Sequence, residues 1–303
     1  MVISLNNEVG NQRIAVIILT INQKEMTLRC LSSLLALEEP KFQVILWDNG
    51  SQDGTIEAVQ NEYPEVITHY YPSNLGVASG RNAAAELALK IFQPSHLLFL
   101  DNDIQVEPGF VRYLLEPFHK NEKTGQTQAK LYLMESKDII NDGGGVNINF
   151  ISWQSSHIGY GEYDRGQYDK VKRCVACGGA MMVRSNVFKR LKGFDSIFDP
   201  YGPEDLDFSL RMQKIGYDAL YIPQAIGFHV VSHSYGKGYT EEYARHKSHN
   251  WLLFMHRHAS LQQKVCFYLV GAPYLAFRVI VRELRKGNLT AIRGLIQGVF
   301  DYF

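Results

Sequence analysis

Short, nearly uninterrupted runs of β-branched and aromatic residues recur through the first third of this chain, and three of them end in a small polar cluster. IAVIILT at 14–20 leads into INQ, QVILW at 43–47 into DNGSQDGT, and HLLFL at 96–100 into DND. A run of this length without polar alternation suits a strand covered on both faces of a parallel sheet. Helical spacing fills the gaps. Leu28, Leu31 and Leu35 share a face of 25–37, a helix that Ser51 or Asp53 can cap opens near Thr55, and 78–91 and 108–119 read as helices. Residues 66–70 supply a further strand. Strands alternating with helices predict an open α/β sheet. Ligands of such sheets sit beyond the carboxyl ends of the strands. The clusters at 20–22, 48–53 and 101–103 should therefore gather along one edge.

Beyond residue 120 the pattern weakens. Gly143-Gly144-Gly145 and a glycine- and tyrosine-rich stretch near 159–168 suggest loops or short antiparallel strands. Residues 203–215 read as a helix, with Pro203 in its first turn and Gly216 ending it, and 217–222 as a strand. Hydrophobic residues make up 46% and charged residues 20% of 303, which excludes disorder and fits one large domain with an appendage. Thirty-one basic residues balance thirty-one acidic ones, so nucleic acid is not expected as a partner. That balance conceals a split: 245–303 carries a formal charge of +7 and 1–244 carries −7. The expected division is a catalytic domain at 1–240 and a basic, apolar, helical extension at 241–303.

Four acidic or histidine-containing segments carry chemistry. Asp101 and Asp103, two residues apart at a strand end, can share a hard cation and its phosphates, although the same pattern also makes a solvated turn. Asp48 with Asp53 follows the second strand, where turn chemistry and hydrogen bonding to a base or ribose are compatible. Glu204 and Asp205 open a helix, where the dipole favours acids and a carboxylate can serve as a general base. His229 and His233 can complete a metal shell. Cys174 and Cys177 match a redox spacing but lack the context for it, and packed thiols are expected instead. No G-x-G-x-x-G follows the first strand and no P-loop lysine is present, which removes the main support for dinucleotide or ATP binding.

Taken in order, VIILTINQ, ILWDNGSQDGT, NLGVASGRNAA, LFLDND, ACGGAMMVRSNVFKRLKGFD, GPEDLDFSLRMQKIGYDALYIP and FHVVSHS resemble glycosyltransferase family 2 over about residues 13–240. Within the family the chain looks most like bacterial rhamnosyltransferase-type enzymes of surface polysaccharide synthesis. The resemblance implies a GT-A fold, a Rossmann-like open mixed sheet flanked by helices. It places Thr20, Asn22, Asp48, Asp53, Arg81, Asp101 and Asp103 around a nucleoside-diphosphate sugar. Asp103, Asp101 and His229 would hold Mg²⁺ or Mn²⁺, with His233 the alternative to His229. Asp205 would be the catalytic base, with Glu204 in support. The implied reaction is inverting, metal-dependent transfer to a hydroxyl of a saccharide or a lipid-linked saccharide. A catalytically silent nucleotide-sugar-binding scaffold and a sugar nucleotidyltransferase are the rival readings.

The tail contains VCFYLVGAPYLAF at 265–277, interrupted by Pro273 and followed by Arg278, Arg282, Arg285 and Lys286. No stretch is expected to reach the roughly 18–20 apolar residues that cross a bilayer. The tail then lies on an anionic membrane surface, or packs on the body or on a second copy in a homodimer. The N-terminus shows no basic region followed by an apolar core, so no secretory signal is expected. Four cysteines suit reduced thiols in the cytoplasm, peripheral to the inner face of the cell membrane if the tail binds lipid.

Overall fold

The apolar runs become one parallel block. β1 (Ile14–Thr20), β2 (Phe42–Asp48), β3 (Ile67–Tyr70) and β4 (His96–Asp101) lie in the order β4-β1-β2-β3, all parallel. Helices α1 (Lys24–Leu35), α2 (Thr55–Glu62) and α3 (Val77–Ile91) connect them. Alternate strand residues feed two separate cores. Val16, Ile18, Leu46 and Leu98 pack with Leu31 and Leu34 of α1, whereas Ala15, Ile17, Ile45 and Phe99 pack with Ala84, Ala85 and Ala88 of α3. Both faces are covered, which is why the runs lack alternation. Each fully buried Ile, Leu or Phe contributes roughly 1.5–3 kcal/mol. This computed structural model describes residues 13–38, 40–176, 178–230 and 240–303. The N-terminal stretch on which a secretory signal was judged, Cys177 and His233 lie outside the described residues.

The second half widens the sheet. β5 (Ile104–Val106), α4 (Phe110–Lys120), β6 (Thr124–Leu133), β7 (Ser136–Asp142), β8 (Val146–Asn149), β9 (Gln154–His157), β10 (Lys172–Arg173), β11 (Ala180–Arg184), α5 (Ser185–Leu191), α6 (Glu204–Lys214) and β12 (Asp218–His229) follow in order. The sheet continues from β4 as β11-β6-β12-β10, with β11 antiparallel to both β4 and β6, so it is mixed. β5 and β7 pair antiparallel with β12 and β6, and β8–β9 form a separate hairpin.

β6 corrects the expectation of loops and short strands in the middle of the chain: it is ten residues long and central. Its sequence, TGQTQAKLYL, conceals this because Gln126, Thr127, Gln128 and Lys130 are buried. Thr127 Oγ1 donates to the Leu114 carbonyl at 2.9 Å, and Lys130 Nζ pairs with Asp164 and with Asp169. Such partners let polar residues occupy a sheet centre.

Four more segments complete the chain: α7 (Glu241–His258), α8 (Leu261–Cys266), α9 (Ala272–Arg285) and α10 (Leu289–Tyr302). α7 is anchored to the body. Phe254 packs with Phe198, Leu206 and Val146, and Asn250 Nδ2 donates to the Phe198 and Tyr201 carbonyls. α8 runs through a π-helical turn at Phe267–Gly271 into α9, giving one helix from Leu261 to Arg285. Pro273 therefore does not interrupt the tail. The wide turn just before it absorbs the missing N–H and the ring's clash with the preceding turn. By length and composition alone this 25-residue helix could cross a bilayer, although its uncharged stretch, 265–277, stays short of the roughly 18–20 apolar residues of a span.

Candidate active site

Strand register builds the site. Thr20 lies opposite Asp48 and Leu19 opposite Asp101, so the polar strand ends line up along one edge. The two loops beyond β1 and β2 are tied together. Asn22 Oδ1 accepts from the Gln52 N–H at 2.7 Å, and Asp53 Oδ2 accepts from the Lys24 N–H at 2.9 Å. Burial pushes the Asp53 carboxyl up, but hydrogen bonds from Thr55 and Lys24 prevail and hold it low. Asp48 is buried. Its Oδ1 accepts from the N–H groups of Gly50 and Ser51, while its Oδ2 is buried without a hydrogen-bond partner among the described residues. A buried acceptor left unpaired costs about 1–3 kcal/mol and fits a site completed by a ligand's donor. Thr20 differs: its hydroxyl is held inside the body by Thr27 and Asn102, at 2.9 and 3.1 Å.

Asp101, Asp103 and His229 converge, with ligand atoms all within 4.8 Å of one another. β5 delivers this meeting, because Ile104 is the register partner of His229. His229 Nε2 lies 3.2 Å from Asp103 Oδ1, and its Nδ1 lies 3.0 Å from Asn141 Oδ1. With Nδ1–H donated to Asn141, Nε2 is the nitrogen turned to the carboxylates, and loss of its proton would leave a lone pair there for a cation. Burial pushes the His229 pKa down, but the hydrogen bond to Asp103 prevails and raises it. Two carboxylates and an imidazole fit a divalent cation of the Mg²⁺ or Mn²⁺ kind.

Arg81 joins this group to the next one. Its guanidinium reaches Asp101 Oδ1 at 2.6 Å, Glu204 Oε1 at 3.2 Å and the Gly178 carbonyl at 3.2 Å. Burial disfavours its charge, yet Asp101, Glu204 and Asp205 prevail and raise its pKa. α3 is positioned for this by Asp199, which accepts from the N–H groups of Ala78 and Ser79. At the start of α6, Asp205 Oδ2 accepts from the Gly178 N–H at 2.5 Å and Oδ1 from the Leu206 N–H at 2.7 Å. Burial raises the pKa of both Glu204 and Asp205, against the lowering charge of Arg81. A Cβ at Gly178 would stand 2.6 Å from Arg81 Nη1, so a side chain there would push on the guanidinium.

A cavity of about 320 Å³ opens beside Asp205. Its walls include Tyr201, His157, and Tyr243, Lys247 and Trp251 along one stripe of α7. His157 Nδ1 lies 2.7 Å from Asp142 Oδ2, and Asp142 Oδ1 accepts from the Gly144 and Gly145 N–H groups. Burial lowers the His157 pKa, but the bond to Asp142 prevails and raises it. Sequence reasoning missed these residues. The G-G-G turn after Asp142 and the four-residue spacing of Tyr243, Lys247 and Trp251 were available signals; His157 had none.

This mixed sheet with an acidic cation cluster on its carboxyl edge is that of a GT-A glycosyltransferase. The glycosyl transferase family 2 model matches residues 15–192, more than half of the chain, and the protein belongs to that family. A second model, the N-terminal domain of galactosyltransferase, matches residues 162–242. The chain is 25% identical to an N-acetylglucosaminyl-diphospho-decaprenol L-rhamnosyltransferase of Mycobacterium tuberculosis, over 88% of this chain and 93% of that one. It is 26% identical to a poly-beta-1,6-N-acetyl-D-glucosamine synthase of Staphylococcus epidermidis, over 71% of this chain and 49% of that one. Among solved structures, GalNAc-T7 with UDP, GalNAc and Mn²⁺ superposes with a TM-score of 0.68 at 16% identity, over 85% of this chain and 50% of that one. The mannosyltransferase PcManGT of Pyrobaculum calidifontis, in complex with GDP-Man and Mn²⁺, gives 0.56 at 15% identity over 95% and 86%.

Proposed function

We propose that this glycosyltransferase moves a sugar from a nucleoside diphosphate to an acceptor hydroxyl by a single, inverting displacement. The observation that carries the proposal is the Arg81–Gly178 junction, which sets a half-buried carboxylate, Asp205, within one side chain's reach of the Asp101–Asp103–His229 cluster. In this reading 1–240 forms the catalytic domain and 241–303 an extension that contributes α7 to the acceptor side. Asp48 accepts from the base or ribose, Asn22 and Asp53 hold the loops that frame it, and Thr20 fixes the strand end from within. Arg81 lies where it can meet the donor's phosphates. Asp101, Asp103 and His229 would hold Mg²⁺ or Mn²⁺, which when bound supplies Lewis-acid stabilisation of the departing diphosphate. Asp205 accepts the acceptor hydroxyl's proton as that oxygen attacks the anomeric carbon. Burial, by raising its pKa, makes it the stronger base. Glu204 supports it by holding Arg81.

The acceptor, a saccharide or a lipid-linked saccharide, would enter the cavity beside Asp205. The decaprenol-linked substrate in the name of the mycobacterial relative supports the lipid-linked form. Work at the inner face of the membrane from the cytoplasm accords with that acceptor. Incubation with a panel of nucleoside-diphosphate sugars and Mn²⁺ or Mg²⁺ tests the proposal. The expected result is release of a nucleoside diphosphate with product of inverted configuration by NMR. Asp205→Asn is expected to lower turnover by about 10²–10⁴-fold while nucleotide affinity holds. Near-normal turnover in that variant removes Asp205 from the base role, and pyrophosphate release would mark nucleotidyl transfer instead.

A further inference from the structure

The C-terminal helices turn their apolar sides outward. α10 seats on α7 through Ala291, Gly294 and Gly298, all buried. A Cβ at Gly294 would stand 2.0 Å from the Glu241 carbonyl oxygen, and one at Gly298 would stand 2.0 Å from that of Arg245. The opposite side therefore faces solvent, with Phe300 at 76% and Phe303 at 80% exposure. The helix Leu261–Arg285 behaves alike: Leu269 is 73% and Phe277 69% exposed. A surface helix of a globular domain does the reverse, burying its large apolar residues.

Charge identifies what covers this surface. Arg278, Arg282 and Arg285 share one side of α9, and Lys286 follows; all are exposed. Glu283 is buried and accepts from Arg282, while among the described residues Arg278, Arg285 and Lys286 have no carboxylate partner. We propose that the outward sides of α8–α10 dock on an anionic lipid bilayer, with the helices lying in the headgroup plane. A second copy is disfavoured because two copies of 261–303, each with six basic residues against two acidic ones, would meet like charge to like charge. Spanning is disfavoured because the uncharged stretch between Lys264 and Arg278 extends only about 20 Å as a helix, short of a core of about 30 Å.

The docked surface is coupled to the cavity. Trp153 stacks on Phe267 at 4.0 Å, and Gly271 backs onto Ile151, where a Cβ would stand 1.9 Å from its carbonyl oxygen. Both contacts come from the turn between β8 and β9, and residues 155–157 of the same hairpin wall the cavity. Lipid bound to the tail thus lies on the side where an acceptor enters. The docking depends on the surface and not on the transfer reaction, so its test uses no substrate.

Full-length protein is floated with vesicles of phosphatidylcholine alone and of phosphatidylcholine with about one-third phosphatidylglycerol. It is expected to float with the anionic vesicles only and to be released by high salt. Combining Arg278→Gln, Arg285→Gln and Lys286→Gln should weaken binding on the order of fivefold per residue. Phe277→Ser with Phe300→Ser should abolish flotation at an unchanged melting temperature, since both rings are exposed. Equal flotation with neutral vesicles, or retention through alkaline carbonate, would overturn the proposal. So would a dimer in sedimentation that the Phe variants dissociate while the parent protein ignores both vesicles.

Discussion

Asp101 and Asp103 stand two residues apart but have different partners. Arg81 already holds Asp101 at 2.6 Å, whereas Asp103 faces His229 at 3.2 Å. Asp103→Ala is therefore expected to weaken nucleotide binding at least about tenfold in calorimetry with Mn²⁺ and to change little without it. Another prediction concerns His96, far from the cleft. Burial, aided by the charges of Arg184 and His119, pushes its pKa down to about 4. An unfolded histidine titrates near 6.5, so the unfolded chain takes up the proton first. Stability should be complete above about pH 6.5 and fall by roughly 3 kcal/mol as pH drops toward 4. Urea midpoints across that range check it, and His96→Leu should flatten the slope. The acidic groups of the cleft were readable because each follows an apolar run or opens a helix. His157 was not: its meaning comes from Asp142, fifteen residues earlier, and from a hairpin that the sequence does not announce.

The parallel strands were readable for a simple reason: residues buried on both faces leave an unbroken apolar run. β6 is equally buried but spends its interior on Gln, Thr and Lys, whose partners come from α4, β11 and the loop at 164–169. No local pattern records such distant partners. α6 shows the same dependence. Its Asp207 is buried and accepts from Arg211 at 2.6 Å, Arg257 at 3.0 Å and His258 at 2.8 Å, so it fastens α7 to the body. Burial pushes this carboxyl up, but His258 and Arg211 prevail and hold it low. Asp207→Ala strands Arg211 and Arg257 and should cost about 3 kcal/mol, read as a lower urea midpoint with an unchanged slope.

The charge split was visible in the sequence, yet it does not mark a surface of weak contact. α7 covers Phe198 and Leu206 and supplies both bonds of Asn250. A chain ending at Thr240 would expose that cluster and is expected to lose its cooperative transition in thermal circular dichroism. The path of the tail was hidden for a different reason, since a proline usually ends a helix and only the wider turn at Phe267–Gly271 lets this one continue. Finally, Gly179 accepts from the Asp101 N–H at 2.9 Å, and Gly178 donates to Asp205. In the proposed reaction one dipeptide would thus gauge the span between leaving group and incoming nucleophile, and main chain rather than side-chain choice sets it. One residue inserted at this point would leave every acid in the chain and put the two halves of that proposed reaction out of step.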